Sequence, residues 1–167
     1  TRQSVIHRTD TEFSLNEFYC RLPVNFSGLI MVDGVVYGRY VTDADEDLSL
    51  SVYNLAKYDT GENQLTVIAR ETPDIRAEFF KDGLIYLTDC FKNQIYTCDV
   101  ENEVMKKLPF RLYDTFRYQY RIEKIELLGD SLIKTYAVRE DKKNYYKEEP
   151  VIYLFNTKTG RKLKVEV

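Results

Sequence analysis

The sequence predicts an all-β fold of about three four-stranded antiparallel meanders. Three observations predict it. Apolar runs are interrupted by Asp-Gly or Gly-Asp pairs, these pairs recur at a near-constant spacing, and a second turn segment follows each of them. An Asp-Gly pair between apolar runs favours a tight hairpin, because the turn needs positive φ at its central residues.

The elements follow in order. Leu29-Ile30-Met31-Val32 meets Asp33-Gly34 and continues as Val35-Val36-Tyr37. Ala77-Glu78-Phe79-Phe80 meets Lys81-Asp82-Gly83 and continues as Leu84-Ile85-Tyr86. Ile125-Glu126-Leu127-Leu128 meets the reversed pair Gly129-Asp130 and continues as Ser131-Leu132-Ile133. The turns at 33, 82 and 130 give a period of about 48. A second hairpin turn follows each first one, beginning at Asp59, Asp99 and Asn156. The first and third copies carry extra polar residues between their middle strands, at 42–47 and 140–150. Polar insertions of this kind are expected on surface loops. Residues 52–57 also admit a helical reading, but the aligned repeat favours strand. The chain therefore divides into an N-terminal segment 1–24, with a strand or short helix near 12–19, and three units at 25–74, 75–112 and 113–167. The N-terminal segment is read as a strand of a neighbouring unit.

Leu84-Ile85-Tyr86-Leu87-Thr88-Asp89 followed by Gln94-Ile95-Tyr96-Thr97-Cys98-Asp99 resembles a blade of the Tyr-rich β-propellers. It is similar to the YWTD-type repeat with Leu87 in place of Trp, and to TolB-like repeats, over residues 75–110. The resemblance implies a propeller-blade architecture and carries over no catalytic residue. Propellers close at about 4–8 blades, and three blades alone leave unpaired strand edges. Three arrangements remain open: a part of a longer propeller, copies that associate to complete one, or a β-sandwich built from the same hairpins.

Lys and Arg number 24 against 27 Asp and Glu, a net charge of -3, which excludes a strongly basic nucleic-acid binder. Hydrophobic residues at 44% supply a core and exclude a disordered chain. No apolar run approaches a membrane span, and no charged-then-apolar leader precedes the fold. Neither nucleic acid nor membrane is expected as a partner. Cys20, Cys90 and Cys98 are odd in number, and Cys98 lies too far down the hairpin from Cys90 for a direct disulfide. Three reduced, mostly buried thiols lean toward a reducing compartment. The start at Thr1 and the Asn25-Phe26-Ser27 acceptor triplet leave an extracytoplasmic location open.

The sequence offers little recognisable chemistry. His7 is the single histidine, and no partner for a nucleophilic triad is in view. No Gly-rich phosphate loop and no zinc-ligand spacing occurs, so no cofactor or metal is expected. The acidic run 43–47 lacks the order of an EF-hand and reads as a solvated loop. The candidate binding residues are Arg111, Tyr113, Phe116, Arg117, Tyr118 and Tyr120, which interleave aromatics with Arg as binding hot spots do. The alternation also describes a half-buried strand from Phe116 whose inner face is Phe116, Tyr118, Tyr120 and Ile122. Tyr145 and Tyr146, set among lysines, form a second candidate. The function expected is a non-catalytic binding module that presents aromatic and charged loops to a protein partner. Two rivals stand beside it. One is a propeller hydrolase or lyase with a hub site near Arg76, Glu78, Glu123 and Glu126, partly on further blades. The other is a sensor of a sugar or peptide ligand.

Overall fold

The computed structural model describes residues 5–9, 16–23, 25–42, 51–89, 91–144 and 147–165. Among these, all regular structure is strand. β1 (Val5–Thr9) and β2 (Asn16–Arg21) form a two-stranded antiparallel ribbon. The other twelve strands form three four-stranded antiparallel sheets, each a meander in chain order. The first holds β3 (Phe26–Val32), β4 (Val35–Val41), β5 (Tyr53–Asp59) and β6 (Gln64–Ala69). The second holds β7 (Ile75–Lys81), β8 (Leu84–Asp89), β9 (Gln94–Asp99) and β10 (Val104–Arg111). The third holds β11 (Tyr118–Gly129), β12 (Leu132–Asp141), β13 (Lys147–Asn156) and β14 (Lys162–Val165). This is the all-β, blade-like threefold meander that the turn spacing predicts, and the segment 52–57 is strand from Tyr53 onward. The chain forms two compact units, Thr1–Thr72 and Pro73–Val167.

The repetition extends to individual hydrogen bonds. In the first turns Asp33 and Gly34 have φ of 47° and 82°, and Asp82 and Gly83 have 50° and 76°. Both turns thus place two residues at positive φ, as the hairpin twist requires. The reversed third pair is accommodated differently, by a register shift between Leu127 and Gly129. In the second turns, one carboxylate or amide oxygen accepts two backbone N–H groups. Asp59 Oδ1 takes those of Gly61 and Glu62, Asp99 Oδ1 those of Glu101 and Asn102, and Asn156 Oδ1 those of Lys158 and Thr159. Such Asx turns mimic a backbone turn and explain the shared Asp or Asn. The residue after each oxygen then ties the second turn to the first. The N–H groups of Thr60, Val100 and Thr157 donate to the carbonyls of Gly34, Gly83 and Ser131. Each leading strand also carries a register shift, at Ser27/Ile30, Ala77/Phe79 and Ile122/Lys124.

In the first unit the core gathers Leu22, Phe26, Val36, Ala56 and Tyr58. In the second unit the core lies between two sheets and includes Ile95, Phe110, Ile122, Ile125, Ile133 and Phe155. The Phe110 and Phe155 rings meet edge-on at 5.2 Å. Burying each such Ile or Phe contributes on the order of 2 kcal/mol. Pro109 interrupts β10, and the pairing with β9 shifts between Lys107 and Arg111. Buried Gln94 fills the irregularity, its Nε2 donating to the carbonyls of Leu108 and Phe110, both at 2.6 Å.

Two expectations need correction. The polar residues 140–150 are mostly strand, not a surface-loop insertion: β12 and β13 stay in register from Leu132↔Asn156 to Asp141↔Lys147. Cross-strand charge pairing makes this possible, since Arg139 opposes and pairs with Glu149. The strand read as starting at Phe116 begins instead at Tyr118, because 112–117 is a crossover between sheets. Phe116 therefore belongs to no buried face; it is 87% exposed. The acidic run 43–47 and residues 12–15 of the N-terminal strand-or-helix reading lie outside the described residues, and 16–19 of that reading is strand.

Candidate functional site

The crossover 112–117 must turn the chain from the outer strand of one sheet to the leading strand of the next. Its polar residues hold it in place. Asp114 Oδ1 accepts the Tyr120 N–H at 2.9 Å, and the Thr115 N–H donates to the Tyr118 carbonyl at 2.7 Å. The Lys142 N–H donates to the Arg117 carbonyl at 2.8 Å, and Lys142 Nζ reaches the Thr115 carbonyl at 3.3 Å. The crossover is thus fastened to the β12–β13 turn. Arg117 closes the arrangement with Nε and Nη2 on Asp141 Oδ2, at 3.0 and 2.8 Å. The hydrogen bond from Arg117 holds the Asp141 carboxyl below its ordinary range.

The two largest apolar rings of this segment face solvent. Tyr113 is 67% exposed and Phe116 is 87% exposed. Cations lie over both. Arg111, half-buried at the end of β10, places Cζ 4.9 Å from the Tyr113 ring centre, and Lys143 Nζ is 4.8 Å from that of Phe116. The half-buried Tyr118 ring has Arg117 at 5.0 Å and Arg139 at 4.6 Å. Tyr120 belongs instead to the packing, half-buried against the core of the second unit. Of the sequence candidates, Arg111, Tyr113, Phe116, Arg117 and Tyr118 thus occupy one stretch of loop and strand start, while Tyr145 and Tyr146 lie outside the described residues. Of the lysines set around Tyr145 and Tyr146, Lys143 is the one over the Phe116 ring, and sequence reasoning missed Asp141 and Arg139. Their only signal was the extended β12–β13 register, hidden when 140–150 is taken for a loop.

The hub candidates are partly brought together. Glu78 Oε1 accepts Arg76 Nε at 2.7 Å and Thr88 Oγ1 at 2.6 Å, and Arg76 Nη2 donates to the Glu123 carbonyl at 2.6 Å. The Glu123 carboxylate pairs elsewhere, with Arg121. Glu126 accepts Lys124 Nζ at 2.6 Å and the Tyr136 hydroxyl at 2.7 Å. These two hydrogen bonds hold its carboxyl below the usual range. Glu78, Phe80, Lys124 and Glu126, with Phe79, Ile125 and Leu127, line a groove of about 450 Å³ along β7 and β11. Among the described residues, no group of three or more His, Cys, Asp or Glu side chains is placed to hold a metal ion. Among them, too, no helix is long and apolar enough to cross a membrane.

No family model matches the sequence, and no curated protein matches it. Solved structures do match, 17 chains in all. One is an oligogalacturonate lyase in complex with manganese, which aligns over 95% of this chain with 10% identity and a TM-score of 0.45. The chain spans 58% of that structure's length.

Proposed function

We propose that this chain is a binding module of blade-like meanders that presents its 111–118 segment to a protein partner. The observation that carries this reading is the exposure of Tyr113 and Phe116 on a crossover fixed by hydrogen bonds. Exposed rings flanked by Arg and Lys have the composition of interface anchors. A pre-formed loop also spares the ordering cost that a mobile one incurs on association. The blade-like sheets are read as part of a larger propeller, completed by further blades or by a second copy. Affinity capture with the native chain and with a Tyr113→Ala/Phe116→Ala variant tests the role. A partner retained by the first and lost by the second, at unchanged melting temperature, supports it. Equal capture by both refutes it.

The groove along β7 and β11 favours one second reading, a hydrolase or lyase. Glu78 and Glu126 stand along it, and paired carboxylates serve glycoside chemistry. Both accept hydrogen bonds from cations, and Glu126 is held ionised, which suits a base or a binding group better than a proton donor. Turnover of an oligosaccharide that disappears in Glu78→Gln would establish this reading in place of the first.

A further inference from the structure

We infer that the partner of the 111–118 segment presents an acidic stretch of polypeptide, which seats its carboxylates on Arg111, Lys142 and Lys143 and its apolar side chains on Tyr113 and Phe116. The inference rests on the binding reading above and names the chemistry of its partner. Three carboxylates of the crossover and of the β12–β13 hairpin that fastens it are already engaged within the chain. Asp114 accepts the Tyr120 N–H. Asp141 holds Arg117 and the Lys143 N–H. Glu149 is paired with Arg139. Three cations lie along this surface, Arg111 over Tyr113, Lys143 over Phe116 and Lys142 along the crossover, and they outnumber the exposed Asp114 carboxylate, whose charge a backbone N–H does not cancel. Arg117 spends Nε and Nη2 on Asp141, which leaves Nη1 for a further acceptor. The chain as a whole carries a net charge of -3, so the patch is a local positive region on an acidic protein. Such a region steers and orients a short anionic segment, whereas the overall charge repels a long polyanion such as RNA.

The test is fluorescence anisotropy with a labelled peptide of Glu and Asp residues spaced by Leu, titrated with the full chain. The native chain is expected to bind it, with affinity falling as salt rises from about 0.05 to about 0.5 M. Lys142→Glu/Lys143→Glu should weaken binding about tenfold or more. The milder Lys142→Gln/Lys143→Gln pair serves if the reversal fails to fold. Absence of binding, equal affinity in native and variant chains, or tighter binding of a single-stranded oligouridylate overturns the inference. The two readings separate in the capture experiment. If Phe116→Ala loses a partner that the lysine variants retain, the acidic partner falls and the binding role stands. If neither change alters capture, both fall.

Discussion

Asn93 closes the backbone ladder of a sheet to which it does not belong. It sits in the turn between β8 and β9, yet its Oδ1 accepts the N–H of Ile122 on β11 at 2.9 Å. Its Nδ2 donates to the carbonyl of Tyr120. The amide thus acts as a short piece of strand between the second and third meanders of the same unit. Its φ of 52° is a conformation that Asn tolerates better than most residues, and it is only 4% exposed. Asn93→Ala leaves a buried N–H and a half-buried carbonyl without this partner and strains the backbone. The expected loss is about 2–3 kcal/mol, read from the midpoint of urea unfolding. Asn93→Gly keeps the backbone unstrained and isolates the part due to the two hydrogen bonds.

Gly38 answers to a different constraint, close approach. A Cβ there would lie 2.5 Å from Leu29 Cδ2 and 2.8 Å from the Ser27 carbonyl oxygen. The register shift between Ser27 and Ile30 brings the backbone of β3 this near to β4. Leu29 can rotate away, but the carbonyl cannot. Gly38→Ala should therefore cost about 1–3 kcal/mol. Gly129 is the control, since a Cβ there meets nothing within 4 Å. Gly129→Ala should be neutral or gain up to about 1 kcal/mol by restricting the unfolded chain. Thermal unfolding of the two variants checks both, and equal effects would contradict the argument from close approach.

The turns were legible because their chemistry is local. Asp33-Gly34 and Asp82-Gly83 can adopt few backbone conformations, and Asp59, Asp99 and Asn156 satisfy donors two and three residues away. Long-range contacts leave no such trace. Asn93 and Gln94 read as ordinary turn and strand residues, yet they satisfy groups up to 29 residues distant. The run 140–150 looked like a loop because it is charged, and charge alone does not distinguish a loop from a strand whose neighbours neutralise it. The alternation 116–122 hid its own start, because a periodic pattern does not show where the ladder begins. Glu78 and Glu126 line one groove because they stand at corresponding positions of two leading strands, 48 residues apart in the repeat.

Cys98 should be inert in the folded chain. Its thiol is fully buried opposite Ile85 and donates to the Asp99 carbonyl at 3.6 Å. Burial pushes its pKa up to about 11, and Asp99 and Glu103 add to the shift. At pH 8 the thiolate fraction is then on the order of one in a thousand, and the reagent has no path to it. Alkylation followed by peptide mass mapping should find Cys98 unmodified in native protein and fully modified in denaturant. Rapid native labelling would contradict the buried placement.

The fastening of the crossover should weaken with acid. The Arg117 hydrogen bond lowers the Asp141 carboxyl from its ordinary 3.8, and the Arg139 hydrogen bond lowers Glu149 from 4.5. A carboxyl lowered in the folded state binds its proton more weakly there than in the unfolded chain. Its stabilising contribution is therefore complete above the ordinary value and disappears as pH falls through the lowered one. Melting temperature should stay level from neutral pH to about 5, then fall as the solution is acidified. Asp141→Asn removes one of the two titrations. It should begin from a lower melting temperature at neutral pH and show a shallower acid slope, because Asn binds no proton while still accepting the Lys143 N–H. An unchanged slope in Asp141→Asn would mean that Arg117 is not held by this carboxylate in solution. The exposed rings of Tyr113 and Phe116 would then sit on a looser loop than the hydrogen bonds imply.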